Sequence, residues 1–126
     1  MKNRILVVDD HFVRLIGISK IVKDNIKDLE IFTTKNFKET ISFLQENKVD
    51  LIILDIKSIP DASRNMIQDL KVIQENVKIL LFYSSDEIDV LQNISGTNGY
   101  LNKQSGEETI VNAINSILMK GYYLML

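Results

Sequence analysis

Two runs of four consecutive apolar residues, each followed by aspartate, constrain the fold of this chain more than any other feature. Residues 5–8 (ILVV) precede Asp9 and Asp10, and residues 51–54 (LIIL) precede Asp55. Such runs are typical of strands that are buried on both faces of a parallel sheet, and open α/β sheets bind their ligands beyond the carboxyl ends of these strands. If the two strands are neighbours, three carboxylates meet at that edge. Their repulsion then requires either a protonated carboxyl or a bound cation.

The composition excludes several other classes of protein. A chain of 126 residues fits one domain that can fold without a disulfide, and it contains no cysteine for thiolate metal sites. A net charge of -2 argues against nucleic-acid binding by this segment, because phosphate contacts require a basic patch. No apolar stretch approaches the roughly 20 residues of a membrane span, and the amino-terminal residues do not resemble a signal peptide. We therefore expect a soluble, cytoplasmic domain that contacts neither DNA nor a membrane.

Strand-like runs alternate with helical periodicity along the whole chain. The predicted strands are Arg4–Val8, Glu30–Thr33, Asp50–Leu54, Lys78–Tyr83 and Gly99–Leu101. Five alternations with right-handed crossovers predict an α/β fold with a five-stranded parallel sheet covered by helices on both sides.

The helices between these strands are predicted from apolar stripes. The first carries Leu15, Ile18, Val22 and Ile26 on one face. The last helix has the clearest stripe, and Gly121 follows it where a helix is expected to stop. That stripe consists of Ile110, Ala113, Ile114, Ile117 and Leu118. The fourth helix, from Glu87 to about Ile94, is weakly patterned and equally consistent with a loop, and the apolar tail 122–126 either packs back on the domain or continues into a further segment.

Three sequence stretches carry a family resemblance. Residues 5–11 (ILVVDDH), 50–55 (DLIILD) and 99–103 (GYLNK) place acids after the first and third strands and a lysine after the fifth. This combination resembles the receiver domain of two-component response regulators, from Arg4 to about Tyr123. The resemblance implies a flavodoxin-like doubly wound (βα)5 sandwich whose five-stranded parallel sheet has the order 2-1-3-4-5. Within that family, His11, Arg14 and Gly17 are similar to the branch whose members carry a helix-turn-helix output domain. We therefore expect residues 1–126 to form a receiver domain at the N-terminal part of a longer chain.

The resemblance implies a role for each polar residue at this edge. Asp55 would accept a phosphoryl group from a sensor histidine kinase or a phosphotransfer protein, and Lys103 would pair with the phosphoryl oxygens. Mg²⁺ would be bound by Asp10 and Asp55, by Asp9 directly or through water, and by the backbone carbonyl of Lys57. The activity expected is self-phosphorylation with slow dephosphorylation, which is that of a switch rather than of an ordinary enzyme.

The resemblance also implies a conformational switch. Receiver domains use a hydroxyl at the end of the fourth strand and an aromatic residue on the fifth strand, which is Tyr100 here. Counting without a gap places Tyr83 at the hydroxyl position, whereas a shift of one residue places Ser84 there, and the size of a tyrosine ring favours Ser84. The face formed by the fourth helix, fifth strand and fifth helix would then control homodimerisation or an output domain.

The sequence departs from the family pattern in one loop, and other interpretations of the acidic residues and of the fold were considered. Pro60 lies five residues after Asp55 instead of four, and residues 63–65 contain no glycine, so the loop 56–65 is atypical. Asp9 and Asp10 taken alone could be helix-capping residues. A flavodoxin-like cofactor binder would need a Gly/Ser/Thr-rich loop where residues 9–13 read DDHFV, which has the wrong charge for a phosphate. A pseudo-receiver, which has the same fold but acts only as a protein-interaction module, stays open.

Overall fold

The computed structural model describes residues 2–59, 66–92 and 94–123. Its strands form one parallel sheet in the order β2-β1-β3-β4-β5, which confirms the predicted α/β class and strand order. The strands are β1 (Asn3–Val8), β2 (Leu29–Thr34), β3 (Leu51–Asp55), β4 (Lys78–Tyr83) and β5 (Gly99–Asn102).

Helices connect the strands. They are α1 (Phe12–Asn25), α2 (Phe37–Glu46), α3 (Met66–Ile73), α4 (Ile88–Leu91) and α5 (Glu107–Lys120), with short 3-10 turns at Ile56–Ser58 and Ser85–Glu87. Helix α4 is shorter than the predicted range of Glu87 to about Ile94, because it begins at Ile88, after the 3-10 turn, and ends at Leu91. Within the described ranges, no helix combines the length and hydropathy needed to cross a bilayer.

Each face of the sheet buries its own apolar cluster. Residues Leu6 and Val8 point to the side covered by α2, α3 and α4, whereas Ile5 and Val7 point to the side covered by α1 and α5. All of β3 is buried, as expected for a central strand with helices on both faces. The predicted α5 stripe is confirmed, because its residues pack into the second cluster, and the helix ends at Gly121 with a left-handed φ of 92°.

The tail after α5 packs back on the sheet. The N–H of Tyr123 donates to the carbonyl of Asn98 at 2.7 Å, and the Tyr123 carbonyl accepts from the N–H of Tyr100 at 3.4 Å. Tyr123 therefore forms a parallel bridge with Gly99 and covers the outer edge of β5 at that point. Residues 124–126 lie outside the described part of the chain.

Gly99 is required for this close approach. A Cβ atom at Gly99 would lie 2.5 Å from the Tyr123 carbonyl oxygen and 3.2 Å from Ile117 Cδ1. We expect Gly99→Ala to lower the free energy of unfolding by about 1–3 kcal/mol in urea titrations, because the tail or α5 must move. Gly17→Ala is the control, since a Cβ there meets nothing within 4 Å and alanine should stabilise α1 by up to about 1 kcal/mol. Wild-type stability in Gly99→Ala would show that the tail does not lie against β5.

Candidate functional site

Three aspartates meet at the carboxyl edge of β1 and β3. These strands are neighbours, with Val8 paired to Leu54, so the residues that follow them emerge side by side. One carboxylate oxygen from each of Asp9, Asp10 and Asp55 lies within 4.8 Å of the others. The predicted convergence of the three carboxylates is therefore confirmed, with Asp9 and Asp55 buried and Asp10 exposed.

Asp55 is the most enclosed of these acids and is held by cations. Its Oδ1 lies 2.5 Å from Lys103 Nζ and accepts the backbone N–H of Lys57 at 3.3 Å, while its Oδ2 lies 3.5 Å from Arg14 Nη2. Burial raises the pKa of the Asp55 carboxyl above its usual value, and the hydrogen bond to the Lys103 ammonium acts in the opposite direction. The structure thus places a carboxylate and an ammonium in direct contact in a region shielded from water.

Lys103 is positioned by the backbone of two strands. It directly follows β5, and its N–H donates to the carbonyl of Tyr83 at 2.7 Å, which continues the pairing of β4 with β5. Its side chain is only 7% exposed, so the ammonium points into the acidic edge instead of into solvent.

Arg14 is a site residue that the sequence analysis did not predict. It lies in the first turn of α1, and its Nε and Nη2 donate to Asp9 Oδ2 and Oδ1 at 2.6 and 3.1 Å. The hydrogen bond to Asp9 raises the pKa of the guanidinium. Side chains in a helix point back towards its N-terminus, so an arginine one turn after the acids was a usable signal.

The capping role considered for Asp9 and Asp10 is taken by another residue. The N-cap of α1 is His11, whose ring nitrogen Nδ1 accepts the N–H of Arg14 at 3.3 Å. Asp9 instead accepts the backbone N–H of His11 at 2.8 Å. The only histidine of the chain therefore has a structural role at a helix end.

Glu87 is a second unpredicted member of the site. It is 8% exposed, its Oε1 accepts the N–H of Ser84 at 2.7 Å, and the same oxygen lies 3.5 Å from Lys103 Nζ. Lys103 thus lies between Asp55 and Glu87. The sequence signal was the Ser-x-x-Glu pattern at residues 84–87, which is typical of a capping box.

The donor set fits a hard divalent cation. When ionised, the four carboxylates of this edge carry two more charges than the two nearby cations, Arg14 and Lys103, supply. Mg²⁺ prefers carboxylate and carbonyl oxygens together with waters. The predicted ligand Lys57 lies in the 3-10 turn directly after Asp55, with its side chain exposed, and the part proposed for its carbonyl stays a prediction.

The predicted switch residues lie close to this edge. Tyr83 ends β4 and is buried, while Tyr100 on β5 is partly buried and packs against the same apolar cluster, which also includes Leu91 of α4. Ser84 is partly exposed and begins the turn that leads to α4. Which of Tyr83 and Ser84 supplies a hydroxyl to the site stays a prediction. The atypical loop 56–65 is described only to Ile59, and Pro60 lies outside the described residues.

A pocket of about 560 Å³ lies at the opposite edge of the sheet, beside the α2–β3 and α3–β4 connections. Its polar lining is used within the fold, since the Gln74 side chain accepts the N–H of Val49 at 2.9 Å and donates to the carbonyl of Leu44 at 3.0 Å. The acidic edge, where four carboxylates and two cations converge, is the stronger candidate for function.

The fold and this edge define a doubly wound α/β domain with a cluster of three aspartates and a buried lysine at the carboxyl ends of its strands. Residues 5–115 match the family described as the response regulator receiver domain. The chain belongs to the response regulator receiver domain family, which confirms the resemblance found in the sequence.

Curated relatives agree with this assignment. The chain is 28% identical over 120 residues to the fimbriae Z protein of Escherichia coli K12, which covers 94% of this chain and 57% of that protein. It is also 28% identical over 126 residues to the oxygen regulatory protein NreC of Staphylococcus epidermidis, which covers 96% of this chain and 57% of that protein. Sporulation initiation phosphotransferase F of Bacillus subtilis is 25% identical over 92 residues, or 73% of each chain. The chain therefore spans 57% of the length of the first two relatives.

Solved structures share the fold. A LuxR family DNA-binding response regulator from Silicibacter pomeroyi superposes with a TM-score of 0.81 at 21% identity, covering 98% of this chain and 97% of that one. The isolated receiver domain of RcsB from Salmonella enterica serovar Typhimurium, solved in the presence of a phosphomimetic, superposes with a TM-score of 0.81 at 18% identity. The match covers 99% of this chain and 94% of that one.

Proposed function

We propose that this domain is a Mg²⁺-dependent phosphoacceptor switch whose nucleophile is Asp55. The observation that carries the proposal is the environment of that carboxylate, which is 1% exposed, lies within the acid cluster and contacts Lys103 Nζ at 2.5 Å. The donor is a sensor histidine kinase or a phosphotransfer protein. The family assignment supports this donor class, since receiver domains act in two-component signalling.

The chemistry needs a carboxylate nucleophile and charge neutralisation. An Asp55 oxygen attacks the phosphorus of phosphohistidine, so that an O–P bond forms, the P–N bond breaks and the imidazole leaves. Asp10, Asp55, the Lys57 carbonyl and Asp9, directly or through water, would hold the metal ion, which would supply positive charge at the phosphoryl oxygens when bound. Lys103 pairs with those oxygens as a point charge, because its ammonium already lies against Asp55.

The phosphoryl group is proposed to change the population of two conformations. A hydroxyl of Ser84, or of Tyr83 in the ungapped register, follows the phosphoryl group, and Tyr100 moves with it. Both tyrosines pack in the cluster that includes α4, which supports coupling between the site and the α4–β5–α5 face. That face would control homodimerisation or an output domain.

The output is proposed to be transcriptional. Similarity to a LuxR family DNA-binding response regulator, and the greater length of the curated relatives, support a DNA-binding output outside these residues. The receiver domain itself, with its net charge of -2, would contact protein and not nucleic acid, and it would act in the cytoplasm.

The test is incubation of the protein with acetyl phosphate and Mg²⁺, followed by intact-mass measurement. We expect the gain of one phosphoryl group, which EDTA prevents and hydroxylamine removes because the product is an acyl phosphate. Failure to gain mass with Mg²⁺, or a gain that resists hydroxylamine, would contradict the proposal.

A pseudo-receiver is the second candidate, and one observation favours it. Arg14 already neutralises part of the acid cluster through Asp9, so this edge has a cation of its own. A folded protein that neither binds Mg²⁺ nor gains a phosphoryl group would support this second candidate.

A further inference from the structure

We propose that Arg14 is an internal counter-ion that competes with the metal, so that Mg²⁺ binds only when the guanidinium leaves Asp9. The inference rests on the proposed function in one respect, namely that the acid cluster binds a divalent cation. Arg14 would then set the metal affinity of the domain. It is a positioning residue, since it acts through Asp9 and Asp55.

The first argument is the position of the guanidinium. Arg14 Nη2 lies 3.1 Å from Asp9 Oδ1 and 3.5 Å from Asp55 Oδ2, so the same nitrogen contacts carboxylates from both strands. A metal ion bound to oxygens of both Asp9 and Asp55 would therefore lie next to the guanidinium of Arg14. At separations near 4 Å, two cations repel by several kcal/mol in a partly shielded site.

The second argument is that the Asp9 oxygens are already in use. Oδ2 accepts Arg14 Nε at 2.6 Å, while Oδ1 accepts Arg14 Nη2 at 3.1 Å and the N–H of His11 at 2.8 Å. A carboxylate offers about four lone-pair sites, so three are taken by protein donors. The one lone pair left for direct coordination is on Oδ2, beside the bond from Arg14 Nε. Repulsion between a metal ion there and the guanidinium would break the bonds to this side chain before the bond to a backbone N–H.

The third argument is that the Arg14 side chain can move out into solvent, whereas the buried Asp9 carboxylate then needs another cation. The Arg14 side chain is 27% exposed, whereas that of Asp9 is 1% exposed. A guanidinium at the protein surface regains hydration when it swings outward, but a buried carboxylate left without a cation is strongly destabilising. The exchange of Arg14 for Mg²⁺ keeps Asp9 compensated in both states.

The test measures Mg²⁺ binding by isothermal titration calorimetry, without a phosphoryl donor. Arg14→Met keeps the apolar stem and removes the charge, and we expect it to bind Mg²⁺ about tenfold more tightly than wild type. The same variant should melt several degrees lower than wild type in EDTA, and saturating Mg²⁺ should recover most of that loss. Lys23→Met is the control, because it removes a positive charge from the exposed surface of the same helix, and its Mg²⁺ affinity should equal that of wild type.

A second measurement needs no variant. In ¹⁵N spectra of the wild type, the Arg14 Nε resonance should shift in proportion to Mg²⁺ saturation, as its hydrogen bond to Asp9 breaks. Arg14→Met with unchanged or weaker Mg²⁺ binding, or an Nε resonance that Mg²⁺ does not move, would overturn the inference. The phosphorylation assay judges the proposed function separately, because tighter metal binding without a phosphoryl gain leaves the inference standing and removes the phosphoacceptor role.

Discussion

Asp55→Asn is expected to abolish phosphoryl incorporation from acetyl phosphate and Mg²⁺, as read by intact mass. The amide oxygen of asparagine is a poor nucleophile and carries no charge to attract the metal. The exchange keeps the size of the side chain and its ability to accept hydrogen bonds from Lys103 and Lys57, so the fold should persist. Circular dichroism of the variant would check that it is folded.

The other end of β3 supplies a matched control for this variant. Asp50 directly precedes β3, and its Oδ2 accepts the backbone N–H of Arg4 at 2.7 Å, a bond that asparagine can also accept. We expect Asp50→Asn to gain the phosphoryl group as wild type does. Incorporation that persists in Asp55→Asn would mean that another carboxylate, with Asp10 the most exposed of the cluster, is the nucleophile.

Lys103→Met is expected to lower the free energy of unfolding by about 3 kcal/mol at pH 7 in urea titrations without metal, because removal of one partner leaves buried charges uncompensated. Asp55 and Glu87 are 1% and 8% exposed, and both lie within 4 Å of the Lys103 ammonium. The variant should also incorporate much less phosphoryl group, since no ammonium remains to pair with the phosphoryl oxygens.

The control for Lys103→Met is a lysine in an exposed ion pair. Lys20 Nζ lies 2.9 Å from Asp24, but its side chain is 74% exposed. Exposed pairs contribute little because water screens them, so Lys20→Met should unfold at nearly the wild-type urea concentration. Equal effects of the two substitutions would show that the Lys103 contact does not stabilise the fold.

The effect of Lys103→Met should depend on pH in a defined direction. Burial raises the pKa of Asp55 from 3.8, which means that the folded state holds the proton more tightly than the unfolded state does. Ionisation of Asp55 therefore lowers stability as the pH rises above about 4, and loss of Lys103 enlarges this shift. The destabilisation should be larger at neutral pH than in acid and should narrow as the pH falls towards 4, a trend that urea titrations at several pH values would measure.

The fold was accessible from sequence because it rests on local patterns. The LIIL run of residues 51–54 predicted a central strand, and every residue of β3 is buried between two helical layers. The α5 stripe and Gly121 predicted that helix and its end for the same reason, since periodicity and a left-handed φ are encoded within a few neighbouring residues. Helix α4 was harder to define because a 3-10 turn begins it and few apolar positions mark it.

The sequence by itself determined which acids reach the functional edge, because Asp9, Asp10 and Asp55 follow buried strands whose carboxyl ends must lie together in a parallel sheet. Only the tertiary structure decided that Arg14 joins the predicted Lys103 in neutralising them. Arg14 contacts Asp9 and Asp55, and Glu87 shares Lys103, through side chains whose directions depend on how α1 and the β4–α4 turn pack on the sheet. Contacts between charged groups that are distant in sequence have no periodicity to reveal them. Their geometry is set by packing, and here it places Arg14 beside acids for which the family resemblance implies only a metal ion and Lys103 as neighbouring cations.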